Sequence, residues 1–175
     1  RRPSPAGPGK VKIGEWLDTP MQDVLAARPL SRKVGYLRIW SFDVDDDDAF
    51  VDELIRLLGL LPQTGLIVDL RANPGGLIWA AERALQLFTD ATIQPTRFSL
   101  IATPLTRQMA DSPFNRLELE AWGQSLQDAV STGELYAQPL PLTDPSWCND
   151  KGRKYPGPSV AVVDANTYSS GDLFA

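Results

Sequence analysis

Two apolar runs, each followed by a break and a helix-like pattern, constrain the fold of this chain most strongly. Residues 66–70 read Leu-Ile-Val-Asp-Leu, a continuous apolar run with one acid that is typical of a buried strand. Residues 160–163 read Val-Ala-Val-Val, which predicts a further apolar strand. A third strand is predicted at 34–40, and apolar residues then recur at helical steps between 50 and 61 and again over 77–88. Strands that alternate with helices predict an α/β fold in which helices cover a sheet.

The composition is that of a globular domain and excludes several kinds of site. The 175 residues suffice for one domain with a hydrophobic core. The formal net charge of −5 disfavours nucleic acid as a partner. The chain has no histidine and one cysteine, Cys148, which excludes an internal disulfide and disfavours structural zinc. We interpret the acidic run 45–48 as the first turn of a helix capped by Asp43, since its spacing matches no calcium loop. We therefore expect neither a metal nor a cofactor.

The chain is predicted to contain two segments, the second of which carries an insertion. Residues 1–33, which open with the proline- and glycine-rich stretch 1–10, are expected to be a linker or the tail of an upstream domain. Residues 34–175 are the predicted core domain. Within it, 104–157 is an expected insertion or lid with one amphipathic helix at 117–130. The last helix pattern stops after about one turn, and we expect the chain to be part of a larger protein because a short helix is costly to nucleate.

The first candidate site is the loop Asn73-Pro74-Gly75-Gly76, which follows the strand at 66–70 and precedes a helix. Two successive glycines adopt backbone conformations closed to other residues and let a ligand approach closely. The carboxyl end of a strand is also where α/β sheets usually bind ligands. A tight turn with glycines for geometry alone is the alternative interpretation. The phosphate-loop and dinucleotide patterns are absent.

The second candidate site is Ser169-Ser170-Gly171-Asp172, which follows the strand at 160–163. A serine at a helix start suits a nucleophile whose attack creates an oxyanion. The alternative is a capping box between Ser169 and Asp172. A G-x-S-x-G elbow is absent, which disfavours an α/β-hydrolase. If the two strands are neighbours, backbone amides of the glycine loop flank the serine and supply half of an oxyanion hole.

These motifs resemble those of the carboxyl-terminal processing, or tail-specific, serine peptidases. Residues 66–77 resemble the family's D-L-R-x-N-P-G-G signature, and 35–42 resemble the G-Y-[IL]-R-[IL]-x-x-F strand before it. Residues 162–175 are similar to the family's V-L-V-x-x-x-T-A-S-A-S-E-I-x-A segment. The matches come in the family's order, and 104–157 has none.

The resemblance implies a crotonase-like (ClpP/crotonase) fold, incomplete at its C-terminus and often preceded by a peptide-binding PDZ domain. It places the nucleophile on Ser169. One oxyanion donor is then the amide of Ser170, and the other is the amide of Gly75 or Gly76. The substrates it implies are polypeptides entered through their C-terminal ends, and it suggests an extracytoplasmic (periplasmic or secreted) location. The oligomeric state stays open.

The departures from the family pattern concern the general base. Family serines are activated by a lysine further along the chain, which here would lie beyond Ala175, or by a histidine with an acid. Lys33, Lys151 and Lys154 are interpreted as solvated. Without a base we expect this segment alone to be inert. Two alternatives remain: a non-catalytic peptide-binding module on the same fold, and an acyl-coenzyme A enzyme of the wider crotonase group.

Overall fold

A computed structural model describes residues 11–113 and 119–175 and shows two compact units. The first unit runs to Ile93 and resumes over Ser146–Ala175, and the second is Gln94–Pro145. Along the chain, the strands are β1 (Leu25–Pro29), β2 (Gly35–Ile39), β3 (Leu66–Asp69), β4 (Arg97–Phe98), β5 (Leu140–Pro141) and β6 (Ser159–Val162). The α-helices are α1 (Asp47–Leu60), α2 (Ile78–Leu85), α3 (Pro104–Ala110), α4 (Gly123–Thr132) and α5 (Ser170–Phe174). None of the helices in the described ranges is long and apolar enough to cross a membrane.

The first unit is built on a four-stranded sheet with the strand order β1-β2-β3-β6. β1 is antiparallel to β2, whereas β2, β3 and β6 are parallel to one another. Alternate sheet residues pack against the apolar sides of α1 and α2, and this cluster forms the core. The parallel order follows from the connections, because a helix returns the chain from β2 to β3 on one face of the sheet. The predicted α/β class is therefore confirmed as a mixed sheet with covering helices.

The first helix begins three residues later than predicted. Asp46, not Asp43, is the N-cap of α1, and its Oδ1 accepts a hydrogen bond from Ala49 N at 2.9 Å. The expectation was wrong because the chain before it is still extended: Phe42 forms a parallel bridge with Gly76. The bridge pairs residues 34 positions apart, so it could not be predicted from the capping and periodicity patterns around Asp43.

The acids that open α1 also hold α2. Arg83, 3 % exposed, forms ion pairs with Asp47 and with Asp48, the latter at 2.6 Å. Pairing of this kind offsets the cost of burying a guanidinium. Of the acidic run predicted as the first turn, only Asp47 and Asp48 lie in it; Asp46 is the N-cap, and Asp45 precedes the helix.

The second unit contains the two-stranded antiparallel sheet of β4 and β5 together with α3 and α4. Its core centres on Trp122, whose Nε1 donates to Phe98 O at 3.0 Å. The helix predicted at 117–130 is found as the turn Leu119–Trp122 followed by α4, and residues 117 and 118 lie outside the described ranges. That residues 104–157 form an insertion or lid remains a prediction. That residues 1–33 form a linker or the tail of an upstream domain also remains a prediction, and β1 lies within this range.

Candidate active site

The two candidate loops lie at the same edge of the sheet because they follow neighbouring parallel strands. β3 and β6 run in register, with Asp69 opposite Val162. Hydrogen bonds then join the loops beyond the strand ends: Leu70 N to Val162 O (2.8 Å), Thr167 Oγ1 to Leu70 O (2.9 Å) and Tyr168 N to Asn73 O (2.9 Å). Segments about a hundred residues apart in sequence are therefore held as one structural element.

Ser169 is exposed and has a strained backbone conformation. Its φ of 56° and ψ of −126° lie in a region that residues other than glycine rarely occupy. The structure contains no capping box here, because the Ser169 side chain makes no cap hydrogen bond. Only its carbonyl oxygen acts at the helix start, accepting from Asp172 N and Leu173 N at 3.0 Å each. Within the described ranges, the exposed Ser169 hydroxyl has no hydrogen-bond partner.

Ser170, the first residue of α5, differs from Ser169 in burial. It is 0 % exposed, and its Oγ has no partner among the residues that the structure describes. Its backbone N–H has no acceptor in its own helix, because the first residue of a helix has no carbonyl four positions earlier within it. The two adjacent serines therefore differ: Ser169 has an exposed hydroxyl, whereas Ser170 has a buried hydroxyl and an amide with no acceptor among the described residues.

The diglycine bend lies directly against this serine. Gly75 has φ +95° and Gly76 has φ +140°, both of which favour glycine. A Cβ added to Gly75 would lie 2.6 Å from Ser169 Cβ and 3.0 Å from Ser170 N. A side chain at position 75 would therefore fill the space beside the serine, so the glycine is required for the two loops to meet.

The amides of the two glycines differ in their hydrogen bonding. Gly75 N donates to Asn73 Oδ1 at 2.8 Å, and Gly75 is buried. Gly76 is exposed, and in the described part of the chain its N–H has no hydrogen-bond acceptor. Within the described ranges, the amides of Gly76 and Ser170 are thus both unpaired, and they lie on the two segments that meet at Ser169.

A buried ion-pair network supports the exit of β3. Asp69, 1 % exposed, accepts hydrogen bonds from Tyr36 OH (2.7 Å), from Arg38 and from Arg71. The Arg71 guanidinium, followed by the Tyr36 hydroxyl, holds the pKa of the Asp69 carboxyl well below its usual range despite burial. The sequence pattern contains a signal for this network. Tyr36 and Arg38 lie two residues apart on β2, on the same face of the strand, and Asp69 is the single acid of the neighbouring apolar strand.

A second acid, Asp164, joins the two loops and was not predicted. Its Oδ1 accepts from Ala72 N and from Asn166 N, each at 2.9 Å. The Ala72 amide is the largest cause of a lowered pKa for this carboxyl. Ala72 has a φ of 56°, so the carboxylate holds a strained residue of the glycine loop to the turn that leads to the serine.

None of the side chains that the structure describes is placed as a general base by a hydrogen bond to Ser169. Of the three lysines considered from the sequence, Lys151 pairs with Asp52 at 3.4 Å. No hydrogen bond links any described side chain to the Ser169 hydroxyl. Residues 11–113 and 119–175 also contain no group of three or more His, Cys, Asp and Glu side chains that could hold a metal ion.

Comparisons with known proteins assign the family. The sequence model of Peptidase family S41 matches residues 33–175, and a search of curated proteins finds no match. Among solved structures, mature CPAF has 19 % identity and a TM-score of 0.55, covering 81 % of this chain and 34 % of CPAF. A lipoprotein from Streptococcus agalactiae has 15 % identity, a TM-score of 0.48 and coverage of 86 % and 44 %. The photosystem II D1 C-terminal processing protease has 19 % identity, a TM-score of 0.38 and coverage of 81 % and 26 %.

The structural matches and the family match differ in how much of each protein they cover. At this identity the likeness to CPAF shows a shared fold, and the chain spans about a third of the length of CPAF. The family model, in contrast, covers most of the chain, including both loops of the site. The family predicted from the sequence motifs is confirmed: this chain belongs to peptidase family S41.

Proposed function

We propose that this chain carries the nucleophile and oxyanion hole of a serine endopeptidase of the tail-specific type. Ser169 Oγ gives its proton to a general base and attacks a peptide carbonyl; the C–N bond then breaks, and the amine leaves with that proton. Water hydrolyses the resulting acyl-enzyme to a free carboxylate and restores the serine. The observation that supports this most strongly is the exposed, unpaired hydroxyl of Ser169 against the diglycine bend, beside two unpaired backbone amides. The finer fold assignment, crotonase-like, belongs to the same proposal.

The oxyanion donors in this proposal are the amides of Gly76 and Ser170. Gly75 N is already committed to Asn73, which is why Gly76 is assigned rather than its neighbour. Donors of this kind act on the charge that develops in the transition state, and loss of one typically costs about 10²- to 10³-fold in kcat.

The general base is proposed to come from outside these 175 residues. The chain contains no histidine, and no described side chain reaches the Ser169 hydroxyl. An unactivated serine is a weak nucleophile, so the segment alone is expected to be inert. The substrates are proposed to be polypeptides entered through their C-terminal ends.

The adjacent serines provide a matched test in the full-length protein. Ser169→Ala removes the proposed nucleophile, whereas Ser170→Ala removes the neighbouring buried hydroxyl and keeps its amide. We expect Ser169→Ala to abolish peptide cleavage and labelling by a fluorophosphonate, and Ser170→Ala to keep both. Thermal unfolding of each variant checks that the fold is intact.

The outcomes separate the candidate functions. Cleavage that survives Ser169→Ala would reject the nucleophile assignment. A wild-type protein that binds peptides but neither cleaves them nor reacts with the probe would support a non-catalytic binding module. The isolated 175-residue chain is expected to remain unlabelled, and labelling of Ser169 in it would refute the proposal of an external base.

A further inference from the structure

We propose that Asn73 is the positioning residue that selects which amide of the diglycine bend faces the reacting serine. This inference rests on the proposed function, since it concerns the oxyanion hole of the same site. Asn73 is 0 % exposed and lies between the exit of β3 and the bend. A buried amide side chain is costly unless its donor and its acceptor are both satisfied, so its contacts are informative.

Asn73 bonds to three separate segments. Its Nδ2 donates to Ile39 O at the end of β2 at 3.0 Å, and its Oδ1 accepts from Gly75 N at 2.8 Å. Its main-chain oxygen accepts from Tyr168 N, the residue before the nucleophile, at 2.9 Å. Its Oδ1 also lies 2.9 Å from where a Cβ on Gly171 would be, so it packs closely against α5. One residue therefore fixes the bend relative to both the sheet and the serine loop.

The bend is fixed at a second point, and together the two contacts orient the peptide units. Gly75 O accepts from Phe42 N at 2.8 Å and from Ser41 Oγ at 3.0 Å. In a trans peptide the C=O and the following N–H point in opposite directions, and the described residues contain no cis peptide. The Gly76 N–H therefore points away from Phe42, while Asn73 holds the preceding N–H inside. Because Asn73 binds the Gly75 N–H and Phe42 binds the Gly75 carbonyl, the Gly76 N–H is the donor of the bend that can bind a ligand.

Only a side-chain amide provides this pair of contacts at position 73. Asparagine supplies a donor for the Ile39 carbonyl and an acceptor for the Gly75 amide at once. Leucine has a similar size and neither group, and an ionised aspartate keeps the acceptor but loses the donor. These two substitutions therefore separate the bond that orients the bend from the bond that anchors it to β2.

The kinetic test uses the full-length protein and a matched control. We expect Asn73→Leu to lower kcat about 100-fold with little change in KM, because the oxyanion donor acts in the transition state. Asn73→Asp is expected to retain more activity than Asn73→Leu, since it keeps the acceptor for Gly75 N. Gln86→Leu is the control: Gln86 is also buried, at 2 % exposed, and its amide binds the backbone of residues 147, 151 and 152. We expect that variant, once shown to be folded, to keep kcat within about threefold of wild type.

Backbone amide exchange, followed by NMR, tests the orientation without requiring activity. In the wild-type protein we expect a protected Gly75 N–H and a rapidly exchanging Gly76 N–H. Protection at Gly75 should disappear in Asn73→Leu and persist in Asn73→Asp. A protected Gly76 N–H in wild type, or equal kcat in the two Asn73 variants, would overturn the inference. The expected exchange pattern in a protein that cleaves nothing would refute the proposed function and leave the positioning of the bend by Asn73 supported.

Discussion

Gly76→Ala is the substitution whose cost can be worked most directly from the structure. Gly76 has φ +140°, a conformation that L-residues rarely adopt. A Cβ there would lie 2.0 Å from Asp43 N, 2.1 Å from Phe42 C and 2.5 Å from Phe42 O. All three are backbone atoms, so the clash cannot be relieved by rotating a side chain. The bridge between the bend and the segment after β2 must open instead.

The expected loss has two parts. The unfavourable φ costs about 1–3 kcal/mol for a residue with a side chain. Opening the bridge breaks two hydrogen bonds, Phe42 N to Gly75 O at 2.8 Å and Leu77 N to Phe42 O at 2.9 Å, each worth about 1 kcal/mol. We therefore expect Gly76→Ala to lower the free energy of unfolding by about 3–5 kcal/mol, a large part of the roughly 5–15 kcal/mol typical of a domain.

Two other glycines of the same unit separate these parts. Gly152 has φ +66° with open space around its Cβ position, so Gly152→Ala should cost only the conformational part, about 1 kcal/mol. Gly59 lies in α1 with a helical φ and with open space around its Cβ position. Gly59→Ala should therefore raise the free energy of unfolding by about 1 kcal/mol. Urea unfolding followed by tryptophan fluorescence measures all three. If Gly76→Ala and Gly152→Ala lower the free energy of unfolding by the same amount, the clash of a Cβ at position 76 with the Phe42–Asp43 backbone does not contribute to it.

Three further predictions concern other buried groups. Ser170→Ala should leave the free energy of unfolding unchanged or raise it by about 1 kcal/mol, because the buried Oγ has no partner among the described residues; a loss of stability in urea would contradict this. Because the folded-state pKa of Asp69 is depressed, its contribution to stability is present above the unfolded pKa of about 3.9 and is lost as pH falls through the folded value. Asp69→Asn should therefore be less stable than wild type at pH 7, and urea titrations should show that difference narrowing below about pH 4. Cys148 is 0 % exposed, so a thiol reagent should react with it only after unfolding; fast reaction in the native protein would show that the 147–149 turn opens.

The strands of the site were predictable because their signal is local. The run at 66–70 is continuous, apolar and bounded by glycine and by a loop, and β3 begins at Leu66 as predicted. The last strand was predicted for the same reason. β1 was not predicted, since its sequence Leu-Ala-Ala-Arg-Pro has little strand preference and its extended form depends on pairing with β2.

The internal chemistry of the site was only partly predictable. The glycines and serines at 75, 76, 169 and 170 carry a motif, and parallel neighbouring strands bring the two loops together. In the proposed oxyanion hole, the choice between the Gly75 and Gly76 amides as donor rests on one hydrogen bond, from Gly75 N to Asn73 Oδ1. The bond from Asp164 to Ala72 joins residues 92 positions apart. Neither bond has a periodic or compositional signal, so neither could be predicted from the sequence pattern.

The distribution of backbone strain links this local chemistry to the proposed role. Among the described residues, the non-glycine residues with positive φ are Ala72 and Ser169, and they lie in the two loops that meet at the site. Strain of this kind costs about 1–3 kcal/mol per residue and persists only where surrounding contacts impose it. Here the contacts are identifiable: Asp164 holds the Ala72 amide, and the fit of Ser169 against Gly75 requires a glycine. A chain that needed only a tight turn would adopt relaxed conformations at both positions. The strain is instead concentrated in the two loops that meet at the proposed site, and the proposed acyl transfer requires an exposed serine hydroxyl near unpaired amides there.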